Sequence, residues 1–218
     1  MSFPVIAIDG PSASGKGTIA VRVAQKLGWA YLDSGALYRL TALLAQQEKV
    51  HWQDESAVAQ LAKSLPVCFE NGKIFLNQQE VTEAIRAEEI GMGASKIAAL
   101  PAVRTALLQR QRDFAEISPT VADGRDMASV VFPDAVLKIF LTASAQVRAQ
   151  RRAKQIGQPE HGEAFEKILA DIEKRDEADC NRPVAPLVKQ PDALLLDTSN
   201  MTIDEAVNQV LVWYNDKV

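Results

Sequence analysis

The chain predicts an α/β fold of three layers, with a central parallel sheet between two layers of helices. Three observations carry that expectation. Short apolar runs alternate with amphipathic helical patterns along most of the sequence, the order that builds parallel strands joined by crossover helices. The main runs, such as Val-Ile-Ala-Ile at residues 5–8, are apolar at every position, as strands covered on both faces are. The first run meets its helix through a loop of glycine and small residues, at the end of a strand where such sheets hold ligands.

The elements follow in order. Residues 5–8 read as a buried strand closed by Asp9. Residues 17–27 read as a helix with Ile19, Val23 and Leu27 on one face and Gly28 as its stop. Residues 29–32 form a second strand ending at Asp33, and Ser34 is the expected cap of a helix over residues 35–47. Asp54 caps a further helix through Leu61 and Leu65. The rhythm then breaks. Residues 67–70 and 73–77 flank Asn71-Gly72, a hairpin signal, and residues 79–82 add a third short strand. Helices are expected over residues 82–100 and 101–116, the second with Pro101 in its first turn. "TVADGRD" and "VLKIFLTA" each carry a strand, and Ser144 caps the arginine-rich stretch that follows. "GQPEHGE" reads as a polar loop. Residues 163–178 read as an amphipathic helix through Phe165, Ile168, Leu169 and Ile172. "ALLLDT" is the last strand, and Thr202 with Glu205 makes a capping box for the closing helix. Asp9, Asp33, Asp123 and Asp197 all fall at or near strand ends.

A chain of 218 residues favours a single domain with inserted lobes. Its 47% apolar and 24% charged residues describe a globular protein. The net charge of −4 gives no basic footprint for nucleic acid. No apolar run reaches membrane-spanning length, and the N-terminus lacks the basic segment of a secretory signal. Cys68 and Cys180 match no metal spacing and read as free thiols of a reducing cytoplasm; His51 and His161 read as surface residues.

The chemistry begins at "GPSASGKGT". Gly10, four residues, Gly15 and Lys16, set between a strand and a helix, form a phosphate-cradling loop. Glycines let backbone N–H groups approach an anion, and the helix start adds partial positive charge. Lys16 then reaches the outer phosphates as a mobile point charge. Gly17 stands where the general motif has Ser or Thr, and Thr18 follows. That pattern leans toward kinases of small-molecule nucleotides rather than GTPases.

Three other stretches carry polar residues suited to a second ligand. "LDSGALYR" places small residues and Arg39 at a helix start. "DGRD" joins Asp123, Arg125 and Asp126 at a strand end. Arg175, Asp179 and Arg182 are spaced i, i+4 and i+7, for one helical face, and Arg148, Arg151 and Arg152 share another. Alone, each set reads as a solvated surface ladder; beside a phosphate loop, anion binding is favoured.

These stretches resemble the bacterial cytidylate kinases among the nucleoside monophosphate kinases. The resemblance rests on "IDGPSASGKGT", "LDSGALYR", "ADGRDMASVVFPDA", "KIFLTAS", "RAQRR", "EKRDEADCNRPVAPL" and "ALLLDTS", in order over nearly the whole chain. It implies one P-loop kinase domain with a core of residues 1–34, 101–147 and 163–218. A monophosphate-binding lobe of about residues 35–100 would hold the antiparallel insert, and a short lid would span about residues 148–162. It implies phosphorylation of CMP and dCMP by ATP with Mg²⁺, in pyrimidine metabolism, by a cytoplasmic monomer. Gly10, Pro11, Ser12, Ala13, Ser14, Gly15, Lys16, Gly17 and Thr18 would hold the ATP phosphates. Lys16, Arg125, Arg148, Arg152 and Arg182 would act on the transferring group, with Thr18 and Asp123 at Mg²⁺. Ser34, Arg104 and Asp126 would read cytosine; Arg39, Arg125 and Arg182 would hold the acceptor phosphate; Arg175 and Asp179 would touch the sugar. The alternatives are a P-loop kinase of UMP, dTMP or shikimate, and a nucleotide-gated binding module without turnover.

Overall fold

The computed structural model describes residues 3–70 and 73–217. By internal contacts the chain divides into a larger unit, residues 1–32 and 114–218, and a smaller unit, residues 33–113.

The larger unit is built on a sheet of β1 (Val5–Asp9), β2 (Ala30–Asp33), β6 (Thr120–Gly124), β7 (Leu137–Thr142) and β8 (Leu194–Asp197), in the order β2-β6-β1-β7-β8. β1 lies parallel to β6 and β7, and β7 parallel to β8, with Asp9 level with Gly124 and Phe140. Every residue of β1 is buried, which is why its sequence carries no polar alternation. Ile6, Ile8, Val121, Leu137, Ile139, Leu141 and Leu196 form one core with Ile19 and Val23 of α1 (Lys16–Leu27) and Val207 and Val210 of α8 (Ile203–Asn215). Each such side chain contributes about 1.5–3 kcal/mol on burial. A second cluster joins α6 (Ala145–Gln155) to α7 (Glu163–Cys180) through Ala149, Ala153, Phe165 and Ile172, and Ala13 of the glycine-rich loop packs against it.

The smaller unit holds α2 (Ser34–Gln47), α3 (Glu55–Lys63), α4 (Glu88–Ile97) and most of α5 (Pro101–Ile117). The insert is a sheet of β3 (Val67–Glu70), β4 (Lys73–Leu76) and β5 (Gln79–Glu80), antiparallel in the order β3-β4-β5. The turn residues Asn71-Gly72 lie outside the described residues.

Four expectations are corrected. The cap of α2 is Asp33, whose Oδ1 accepts from Ala36 N at 2.9 Å; Ser34 is the first helical residue. A carboxylate offers the better acceptor at the positive end of a helix. The helix expected over residues 82–100 is divided into a 3₁₀ turn, Ala84–Arg86, and α4, because Ala87 is extended at φ −54°, ψ 144°. Asn77 belongs to the β4–β5 turn, where Asn77 and Gln78 both have positive φ, 49° and 66°, the backbone a tight hairpin needs. α3 stops at Lys63, short of Leu65.

Candidate active site

The glycine-rich loop runs from β1 to α1 in the larger unit. Gly15 caps α1 at φ 89° with no side-chain cap, and the first turn of α1 has no acidic residue. No protein carboxylate in that turn therefore offsets its positive end. Gly10 is fixed by close approach, since a Cβ there would lie 2.0 Å from Leu141 O. Lys16 Nζ reaches back to Pro11 O at 3.4 Å. Ser14 Oγ is buried with no protein partner, a polar atom placed to meet a ligand oxygen. Loop and helix start together fit a polyphosphate.

β6 brings Asp123 alongside. Tyr31 Oη donates to Asp123 Oδ1 at 2.8 Å, and a Cβ at Gly17 would lie 3.9 Å from Asp123 Oδ2. Thr18, next along α1, is exposed. One hydroxyl and one carboxylate beside a phosphate loop fit Mg²⁺, which takes few protein ligands plus phosphate oxygens and water.

The arginines are held individually. Arg125 Nε donates to Asp179 Oδ2 at 2.6 Å and Nη2 to Ser12 Oγ at 3.0 Å. Arg148 is 5% exposed: Nε donates to Ala143 O at 2.9 Å, Nη1 to Ser12 O at 3.1 Å, and Nη2 pairs with Asp176 Oδ2 at 2.6 Å. Arg151 Nη1 donates to Ser14 O at 3.0 Å and Nη2 to Thr198 O at 2.7 Å. Arg152, half-buried, donates to Gln155. The shared repulsive face expected of Arg148, Arg151 and Arg152 is thus resolved: two of the three cations turn to carbonyls of the phosphate loop, and Arg148 also meets a carboxylate. The face expected of Arg175, Asp179 and Arg182 is broken, because α7 ends at Cys180. Arg182 lies in the following loop and donates to Ala185 O at 2.7 Å. Asp179 turns to Arg125, and Arg175 is half-buried.

After β6 the chain forms a π-helical turn, Met127–Val131, with Asp126 before it. Met127 N donates to Asp9 Oδ1 and Ala128 N to Asp9 Oδ2, both at 2.8 Å. Burial pushes the Asp9 carboxyl up from 3.8 to about 6; the two N–H groups and Arg125 work against that rise, and Asp126 adds to it.

In the smaller unit, Ser34 and Arg104 are buried. Arg104 Nη1 donates to Ala98 O at 3.0 Å, and its guanidinium lies 5.8 Å from the Tyr38 ring centre, a cation–π distance. Arg39 Nη1 donates to Ile85 O at 2.8 Å and rests on Gly91, where a Cβ would lie 3.2 Å from both terminal nitrogens.

Asp9, Tyr31, Asp176, Arg151 and Thr198 were not among the sequence-predicted site residues. Arg151 had a local signal in the arginine run. The others act through partners distant in sequence, with Asp9 and Met127 separated by 118 positions, and local pattern carries no trace of that. Both cysteines are free and exposed, and both histidines are exposed.

A family model described as cytidylate kinase matches residues 6–216. A cytidylate kinase of Neisseria meningitidis serogroup C is 65% identical over 212 residues, 97% of this chain and 97% of that one. One from Chromobacterium violaceum is 58% identical over 217 residues, 100% and 98% of the two chains. One from Bordetella pertussis is 53% identical over 208 residues, 95% and 93%. Among solved structures, an uncharacterised protein from Eubacterium ventriosum superimposes with a TM-score of 0.55 at 11% identity, covering 97% of this chain and 98% of that one. A sugar kinase from a Janibacter species does so with a TM-score of 0.50 at 16% identity, covering 98% and 95%. At these identities the two structures speak for the fold alone.

Proposed function

Because the chain belongs to the cytidylate kinase family, we propose that it transfers the terminal phosphoryl group of ATP to CMP and dCMP, giving ADP with CDP or dCDP. An oxygen of the acceptor phosphate forms the new P–O bond as the bridging oxygen departs with ADP. The acceptor's second ionisation lies at about pH 6, so at neutral pH it is already an anion and no catalytic base is required. What must be overcome is the repulsion of two anions and the charge on the transferring group, which positioned cations relieve.

One contact carries the reading: Arg125 Nη2 donates to Ser12 Oγ of the phosphate loop at 3.0 Å. A cation assigned to the acceptor phosphate thereby stands one hydrogen bond from the loop assigned to the donor. On this reading Gly10 to Thr18 bind the ATP phosphates and Lys16 follows the transferred group. Arg39, Arg125 and Arg182 hold the acceptor phosphate. Ser34, Arg104 and Asp126 meet cytosine, and Arg175 and Asp179 the sugar. Thr18 and Asp123 would hold Mg²⁺, which supplies charge neutralisation when bound. Residues of about 35–100 form the monophosphate lobe. Residues of about 148–162 form the lid, with Arg148 and Arg152 exchanging protein partners for phosphate. The enzyme works as a monomer on the free nucleotides of the cytoplasm.

The test is product formation by the purified chain. With ATP, Mg²⁺ and CMP, CDP and ADP should appear in equal amounts. Lys16→Ala should lower turnover by about 10²-fold or more, the scale of losing one charge-stabilising group, with circular dichroism unchanged. Near-normal turnover in a folded Lys16→Ala enzyme would refute the phosphate-loop assignment.

A further inference from the structure

A peptide group is planar and trans, so its carbonyl and its N–H point in opposite directions. Holding the carbonyls of a loop on one side therefore turns the N–H groups that follow them to the other. Two carbonyls of the glycine-rich loop are held in this way by one helix. Arg148 and Arg151, about one turn apart on α6, donate from Nη1 to Ser12 O at 3.1 Å and to Ser14 O at 3.0 Å. Ser14 also carries the buried Oγ with no protein partner. We propose that Arg151 is a positioning residue for the phosphoryl donor: it clasps Ser14 O to Thr198, so that the peptide between Ser14 and Gly15 keeps its N–H turned toward the bound polyphosphate. The inference rests on the reading of Gly10 to Thr18 as the loop that holds the ATP phosphates.

The far end of the clasp is fixed to the sheet. Thr198 directly follows β8 and is 2% exposed. Its N and its Oγ1 both donate to the carbonyl of Thr142, the last residue of β7, at 2.8 and 3.1 Å. Arg151 Nη2 donates to Thr198 O at 2.7 Å, and Nη1 donates to Thr198 Oγ1 at 3.1 Å as well as to Ser14 O. One planar guanidinium thus spans from a strand end to the loop, a fixed fork that a point charge on a flexible stem does not reproduce. Each of these acceptors is an uncharged oxygen, whereas Arg148 also meets the carboxylate of Asp176. Beside the fork, Ala13 packs against the α6–α7 cluster of Ala149, Ala153, Phe165 and Ile172, so the same stretch of loop is held by apolar contact as well.

Arg151→Lys tests this, since it keeps the charge and removes the fork. KM for ATP should rise about tenfold, the scale of one lost hydrogen bond to a charged group, while KM for CMP stays within about twofold. Inorganic tripolyphosphate, which has neither base nor sugar, should lose affinity by the same factor in a calorimetric titration. Thr198→Val, which removes the hydroxyl that Arg151 meets, should move both readouts in the same direction. Added to Arg151→Lys it should lower affinity little further, as expected of residues acting as one unit. Should Arg151→Lys fail to fold, Thr198→Val carries the same test. Normal affinity of folded Arg151→Lys for ATP and tripolyphosphate, where Lys16→Ala weakens both, overturns the role of Arg151 alone. A loss on ATP with unchanged tripolyphosphate affinity would put Arg151 at the base or sugar and overturns it as well. Tripolyphosphate affinity unaltered by Lys16→Ala overturns the phosphate-loop reading and this inference together.

Discussion

Arg148 engages its guanidinium on every side within the protein, through Ala143 O, Ser12 O and Asp176. Removing its counter-charge would leave a buried cation without compensation. Asp176→Ala should destabilise the fold by about 3 kcal/mol or more, read as a lower urea midpoint. A change below about 0.5 kcal/mol, the usual range for surface substitutions, would mean the pair is solvated. Asp9 presents the reverse problem, a carboxyl whose native value is raised from 3.8 to about 6 by burial. A raised value favours the protonated form in the native state, so its stabilising contribution is present below pH 3.8 and is lost as pH rises through about 6. Wild type should therefore lose stability relative to Asp9→Asn between about pH 4 and pH 7, by about 3 kcal/mol. A pH-independent difference would show that Asp9 ionises at its ordinary value. Asp126 and Arg125 are the charges that couple to it. None of this was legible in the sequence, which marks Asp9 only as the polar end of an apolar run.

At the scale of elements, legibility followed the locality of the signal. The strands, α1, α5 and α8 were readable because apolar period, terminal proline and capping box all lie within the segment they define. The break at Ala87 was not, because Ala84, Ile85 and Arg86 before it and Glu88, Glu89 and Ile90 after it are all ordinary helix residues, so nothing local marks the extended Ala87 between them; beyond it, α4 packs against α2. That packing has a consequence for the acceptor site. In α4, Gly91 gives the room in which Arg39 of α2 rests. Gly91→Ala would set a Cβ 3.2 Å from both terminal nitrogens of Arg39, so the guanidinium must give by a few tenths of an ångström; KM for CMP should rise while KM for ATP stays unchanged, as misplacing a positioning group costs binding, and an unaltered KM for CMP would count against Arg39 holding the acceptor phosphate in this pose. Between α6 and α7, residues 156–162 are exposed. Their amide exchange should slow when ATP and CMP are added together, whereas the buried face of α6, already tied to the phosphate loop, should change less. Equal exchange of residues 156–162 with and without ligand would count against a lid.

For the whole molecule, fold class and family were the most legible features, because a phosphate loop, a capped second helix and "DGRD" follow one another in a specific order along the chain. What the sequence left open was how each arginine is held, since that depends on partners brought together only by folding. On the proposed reading the larger unit carries phosphate transfer, and Asp126, Ser34 and Arg104 select cytosine. The most direct test is a steady-state acceptor panel with ATP and Mg²⁺ on one preparation, comparing CMP, dCMP, UMP, dTMP and shikimate. The account predicts turnover of CMP and dCMP, with kcat/KM for CMP exceeding that for UMP by about tenfold or more, as one well-placed polar contact allows. Equal or better use of UMP, dTMP or shikimate, or no phosphorylation of any acceptor, would contradict it.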